Sequence, residues 1–229
     1  MKRLYYIIFI ILIILIFYCF FKSVIFYIDN KKIEVSFKET NSVGESFSNS
    51  DVILTYRNKY NNDDIIGILV IDGLNINELV VKGVDNSYYL NHLVDGRVSV
   101  LGSLFMDYRS DFYSKQINIY GHNSRYYDVV FKRLEKYLDK DFYKDNRYIS
   151  LISEDDIFNY EIFSINVTNN ENHLDFSSSF SDRVKYLKTN SLYDTGINVS
   201  DDDYLLVLQT CIYNREGDLL VIGAKRVNF

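Results

Sequence analysis

From Ile65 onward the chain alternates short apolar runs with Gly, Asn and Asp, the rhythm of strands and tight turns. It predicts strands over Ile65–Ile71, Leu79–Val84, Ser99–Met106, Ile117–Tyr120, Tyr148–Ile152, Phe158–Val167, Tyr204–Cys211 and Leu219–Lys225. Turn signals such as Asp72-Gly73 and Glu216-Gly217-Asp218 sit between or beside them. Two segments change to helical spacing. Tyr127–Leu138 sets Val130, Phe131, Leu134 and Leu138 on one face, and Phe180–Leu192 does the same with Phe180, Val184 and Leu187. The second lies in a long connection between the Phe158–Val167 and Tyr204–Cys211 strands, and connections of that length usually carry function. The sum is a mainly β fold, a single barrel or curled sheet carrying a few helices.

The N-terminal part reads differently. Leu4 to Phe21 is an 18-residue run without a charge, which just suffices for a transmembrane helix. A buried core helix is rarely apolar all round. A cleaved signal peptide has a shorter apolar core and an Ala-x-Ala-like site, and none follows here. The expectation is an uncleaved signal-anchor over 1–28. Lys2 and Arg3 precede the run and place the N-terminus in the cytoplasm, with the rest outside a single-pass membrane helix. Residues 29–64 are polar and irregular, rich in Asn, Ser, Asp and Lys, and read as a stalk with a short helix around Asp51–Tyr60. The folded domain is then 65–229.

Charge narrows the partners. Lys2, Arg3 and Lys22 are the only three of the 25 basic residues before residue 29, and all 31 acidic residues lie at or after it, so the part from residue 29 on carries −9. Such a balance argues against nucleic acid or an anionic lipid surface as partner, and solubility accounts for it equally well. Proline and tryptophan are absent, so sharp turns fall to Gly, Asn and Asp.

Two cysteines are present, and Cys19 lies in the apolar run, so Cys211 is alone in the exported part. No disulfide can form within that part. A solitary exported thiol is either buried and inert or reactive for a reason. Cys211 ends the apolar run Leu205–Leu208 through Gln209 and Thr210, at a strand end beside a turn. His122 follows Ile117–Gly121 and also stands at a strand end, whereas His92 and His173 sit in polar loop sequence. A thiol and an imidazole meeting across one rim of a sheet would suit nucleophilic attack on a carbonyl, with the imidazole handling the leaving amine's proton. Spacing alone leaves open the bland reading of Cys211 as a small core hydrophobe. No Cys/His cluster has zinc spacing, and no phosphate loop or Gly-x-Ser-x-Gly elbow is present, so no metal and no cofactor is expected. Asp155-Asp156 and Asp201–Asp203 read as solvated turns.

Four stretches now combine: Asn86–Leu90, Gly102–Arg109, Tyr120-Gly121-His122-Asn123 and Leu208-Gln209-Thr210-Cys211. In order and separation they resemble the sortases, and among them class B, over roughly Ile65 to Lys225. The insertion before the Cys strand and the N-terminal signal-anchor also look like class B. The resemblance implies an eight-stranded β-barrel and a cysteine transpeptidase of the Gram-positive cell envelope. Such an enzyme cleaves the C-terminal sorting signal of exported proteins after a Thr, through a thioester that a peptidoglycan precursor amine resolves. Carried over by position, Cys211 matches the nucleophile, His122 the catalytic histidine and Thr210 the residue before the nucleophile. The family also has an Arg at the start of the next strand, supporting substrate and oxyanion. Here Asp218 or Leu219 falls at that position, and Arg215 is the nearest substitute. Two readings of Arg215 stand, oxyanion donor or exposed turn residue. Two other functions remain beside transpeptidation: a sortase-like peptide-binding protein of weak activity, and a cysteine endopeptidase that hydrolyses.

Overall fold

The computed structural model describes residues 6, 9, 11–22, 48–169, 176, 178–212 and 218–228. The chain divides into two compact units, Met1–Phe47 and Ser48–Phe229. In the first, residues 11–22 are helical with exposed side chains. Among the described residues no helix is long and apolar enough to cross a membrane. Of the transmembrane helix expected over 1–28, residues 6, 9 and 11–22 are described and helical, and the rest lies outside the described residues. A span needs about 20 residues.

The second unit is a closed eight-stranded barrel. Its strands are β1 (Ile65–Ile71), β2 (Ile76–Val81), β3 (Leu104–Met106), β4 (Gln116–Tyr120), β5 (Tyr148–Ile152), β6 (Ile157–Thr168), β7 (Leu205–Cys211) and β8 (Leu219–Val227). Around the barrel they run β1-β2-β3-β4-β7-β8-β6-β5, with β5 closing back on β1. Pairing is antiparallel except at β2–β3 and β4–β7, which are parallel. Closure leaves no bare sheet edge.

Period-2 alternation divides each strand between two cores. On β7, Leu206 and Leu208 point into the barrel with Ile117 and Ile119 of β4, Ile222 of β8 and Ile165 of β6. Leu205 and Val207 face outward beneath α3 (Phe180–Thr189), packing with Val184, Leu187, Phe163, Leu219 and Val221. Helix α3 begins at Ser179, whose hydroxyl accepts from the Asp182 amide, a cap that satisfies one orphan donor of the first turn. It ends at Thr189 rather than Leu192.

Helix α1 (Asn49–Tyr60) carries a reciprocal capping box between Ser48 and Asp51 and buries Ile53 against Ile65, Val81, Tyr89 and Phe105. The segment read as stalk thus contributes a helix to the barrel unit. The helical spacing at Tyr127–Leu138 becomes a 3-10 helix over Val130–Leu138. Its start is delayed because the Ser124 hydroxyl takes the Tyr126 and Tyr127 amides into a turn. A short helix, α2 (Lys140–Asp145), follows with Asp139 as its cap. The strand expected over Ser99–Met106 starts only at Leu104. Gly102, at φ +57, breaks it.

Candidate active site

Because β4 and β7 are parallel, they end on the same rim. The last register pair is Tyr120 with Gln209, and His122 and Cys211 each stand two residues beyond it. Three bonds hold the two strand ends together. The Gly121 amide donates to the Gln209 carbonyl at 3.2 Å. The Thr210 hydroxyl donates to the Gly121 carbonyl at 2.7 Å. The Asn123 side-chain amide donates to the Cys211 carbonyl at 2.9 Å and to Glu135 at 2.6 Å. Thr210 and Asn123 are buried, while Cys211 is exposed. Of the two readings of Cys211, the structure places it at the open rim and not in the core.

The His122 ring is held from the other side. Its Nε2 lies 2.6 Å from the Leu90 carbonyl. A carbonyl only accepts, so Nε2 carries the hydrogen, and in the neutral ring Nδ1 is the nitrogen that takes up a proton. Gly102 lies beside the ring: a Cβ there would come within 3.0 Å of His122 Cδ2 and still closer to the Tyr89 and Leu90 carbonyls. The glycine in the second motif is required by this close approach and by its positive φ.

Under this rim sits Asp107, fully buried. It accepts from Arg109 Nε and Nη2 at 2.9 and 2.8 Å, from the Arg109 amide, from Asn86 and from the Tyr120 hydroxyl. Burial pushes its carboxyl up, but these donors, Arg109 foremost, win and hold it at about 2. Burial raises the Tyr120 hydroxyl, against the Asn118 hydrogen bond and with help from the Asp107 charge. Asn86, Asp107 and Tyr120 come from the first three motif stretches and meet at this carboxylate. None was singled out as a site residue from sequence. Their mutual spacing of 13 to 34 positions gives no local signal.

Cys211 pairs across the hairpin with Leu219, and the Ile212 amide donates to the Asp218 carbonyl at 2.9 Å. The position beside the thiol on β8 is therefore apolar and holds no guanidinium. Arg215 lies outside the described residues. His92 is not part of the rim pair; its ring stacks on Tyr88 at 4.0 Å and meets the Tyr88 carbonyl. His173 lies outside the described residues. Among the described residues no group of three or more His, Cys, Asp and Glu is placed to hold a metal ion.

A closed barrel that brings a thiol and an imidazole to one rim of two parallel strands defines a class of cysteine-nucleophile enzyme. No protein-family model matches the chain. Sortase B of Listeria monocytogenes is 33% identical over 175 residues, covering 72% of this chain and 71% of that protein. Sortase B of Staphylococcus aureus is 29% identical over 174 residues, 72% and 70% of the two chains. The crystal structure of Clostridium perfringens sortase B superposes with a TM-score of 0.71 at 28% identity, covering 76% of this chain and 99% of that one. The chain belongs to the sortase B family and is a cysteine transpeptidase.

Proposed function

We propose that the chain is a membrane-anchored sortase of class B in which Cys211 is the nucleophile and His122 the acid/base. The observation that carries the reading is the equal offset of these two residues beyond the paired ends of β4 and β7. The Cys211 thiolate attacks the carbonyl of a sorting signal on an exported protein. His122 gives a proton to the departing amine, leaving a thioester. An amine of a peptidoglycan precursor then attacks, loses its proton to His122, and expels the Cys211 thiolate. Arg215, four residues after Cys211 in the sequence, is proposed to donate to the developing oxyanion, since a guanidinium offers two donors and Leu219 none. The uncharged run Leu4–Phe21, preceded by Lys2 and Arg3, supports a single-pass anchor with the barrel outside.

Incubating the full chain with a library of sorting-signal peptides and a small amine tests this. The expected products, read by mass spectrometry, are peptides cut within the signal and capped by the amine. The apolar residue opposite Cys211 favours a second reading, a sortase-like peptide-binding protein of low turnover. Peptides retained but not cut would support it, and products capped by water would indicate a hydrolase.

A further inference from the structure

Below the rim, four side-chain hydrogen bonds run in series along the outer face of β4. Arg183 Nε of α3 donates to Gln116 Oε1 at 2.7 Å, and Gln116 Nε2 donates to Asn118 Oδ1 at 2.7 Å. Asn118 Nδ2 donates to the Tyr120 hydroxyl at 3.3 Å, and that hydroxyl donates to Asp107 at 3.0 Å. Arg183, Gln116, Asn118 and Asp107 are all buried. Arg183 is further held by the Ser178 carbonyl and lies over the rings of Phe176 and Phe180.

The chemistry of the two ends fixes the direction of the whole chain. An amide side chain can turn either way, and a phenol both gives and accepts. A guanidinium can only donate and an ionised carboxylate can only accept. With Arg183 at one end and Asp107 at the other, every hydrogen bond must point from α3 toward Asp107. The Tyr120 hydrogen is thereby committed to the carboxylate. Tyr120 is two residues before His122 and is the register partner of Gln209, itself two residues before Cys211. The long β6–β7 connection, which carries α3, is therefore linked through a one-way chain to the rim where the reacting pair stands.

We propose that Arg183 is a positioning residue for the transpeptidation: from α3 it sets the direction of this chain, and so holds the Tyr120 end of β4 that presents His122 to Cys211. The inference rests on Cys211 and His122 being the reacting pair. The alternative is that Arg183 and Gln116 only dock α3 onto the barrel.

The substitution Gln116→Glu separates the two. A carboxylate at this position still accepts from Arg183, so docking is kept, but it has no hydrogen to give Asn118. The Asn118 amide then turns, its oxygen captures the Tyr120 hydrogen, and Asp107 loses a donor. Tyr120→Phe removes the hydroxyl at the other end. The two positions lie about 13 Å apart along the strand at ~3.3 Å per residue, and independent substitutions so far apart have additive effects. The readout is the rate of Cys211 alkylation by iodoacetamide near neutral pH in the full-length protein. It is mapped by mass spectrometry so that Cys19 is scored apart. Each single variant should slow alkylation by about 3- to 10-fold through a less well placed imidazole beside the thiol. The double variant should be no slower than the slower single. Arg183→Met frees the Gln116 amide to turn and should slow alkylation in the same direction as Gln116→Glu, but by no more than it. A wild-type rate in Gln116→Glu, or fold-changes that multiply in the double variant, would overturn the proposal and leave α3 docking as the sole role. Should Gln116→Glu not fold, Asn118→Asp cuts the next link and is judged by the same cycle with Tyr120→Phe. Iodoacetamide needs no sorting peptide, so a chain that processes no peptide and a chain without the relay give different results.

Discussion

The Leu90 carbonyl and the bare Cα of Gly102 together define where the His122 ring lies. Gly102→Ala would put a methyl 2.6 and 2.7 Å from the Tyr89 and Leu90 carbonyls at a φ of +57. We expect a loss of about 1–3 kcal/mol in chemical denaturation, the usual scale for a residue forced into a sparsely populated backbone region, with a rate loss larger than the stability loss explains. Cys211→Ala should abolish thioester formation with an unchanged melting temperature, because an exposed sulfur contributes little packing. His122→Ala should slow acyl transfer by at least ~100-fold, while His92→Ala should not. Equal losses at both histidines in a peptide-cleavage assay would indicate folding damage instead of chemistry. That Cys211 and His122 stand at strand ends was legible in sequence, because each follows an apolar run. The Gln116, Asn118 and Asp107 chain was not. A polar residue in a strand reads as solvent-facing when its covering helix lies far along the chain, as Arg183 lies 67 positions from Gln116.

At the scale of elements, β1 and β5 were legible to the residue, since both are short apolar runs bounded by turn residues. What sequence could not supply was neighbourhood. The parallel β4–β7 pairing joins segments almost ninety residues apart, and it alone turns two strand ends into one site. Helix α2 was missed because six residues, mostly charged, show no period. Its Tyr143 hydroxyl donating to the Ile162 carbonyl makes its place evident only in three dimensions. Helix α1 was seen, but not its docking. Ile53 is completely buried and packs beside Tyr89, next to the Leu90 carbonyl that holds His122. Ile53→Ala should therefore lower stability by about 2–5 kcal/mol by the cavity it leaves. Deleting residues 1–63, which removes α1 and the buried Ile53, should destabilise the barrel.

For the whole molecule, the buried Asp107 carboxylate links stability to acid pH. Its carboxyl is held at about 2 in the fold, below its ordinary value of 3.8. The stabilisation is thus fully present above about pH 4 and is lost as pH falls through the folded value. The melting temperature should drop over this window, and Asp107→Asn should flatten that part of the profile while lowering stability at neutral pH. The proposed anchor makes a topological prediction as well. Protease added to protoplasts should digest the barrel unit and spare the extreme N-terminus, and a mature form starting near residues 25–30 in the medium would contradict it. The central claim, a thioester on Cys211, is tested most directly by trapping. The full chain is mixed with sorting-signal peptides in the absence of amine, quenched in acid and mapped by mass spectrometry. The account predicts an acyl adduct on the peptide containing Cys211 that disappears when amine is added before the quench and never forms in Cys211→Ala. An adduct that persists in Cys211→Ala, or cleavage with no acylated Cys211 at any time, would contradict it.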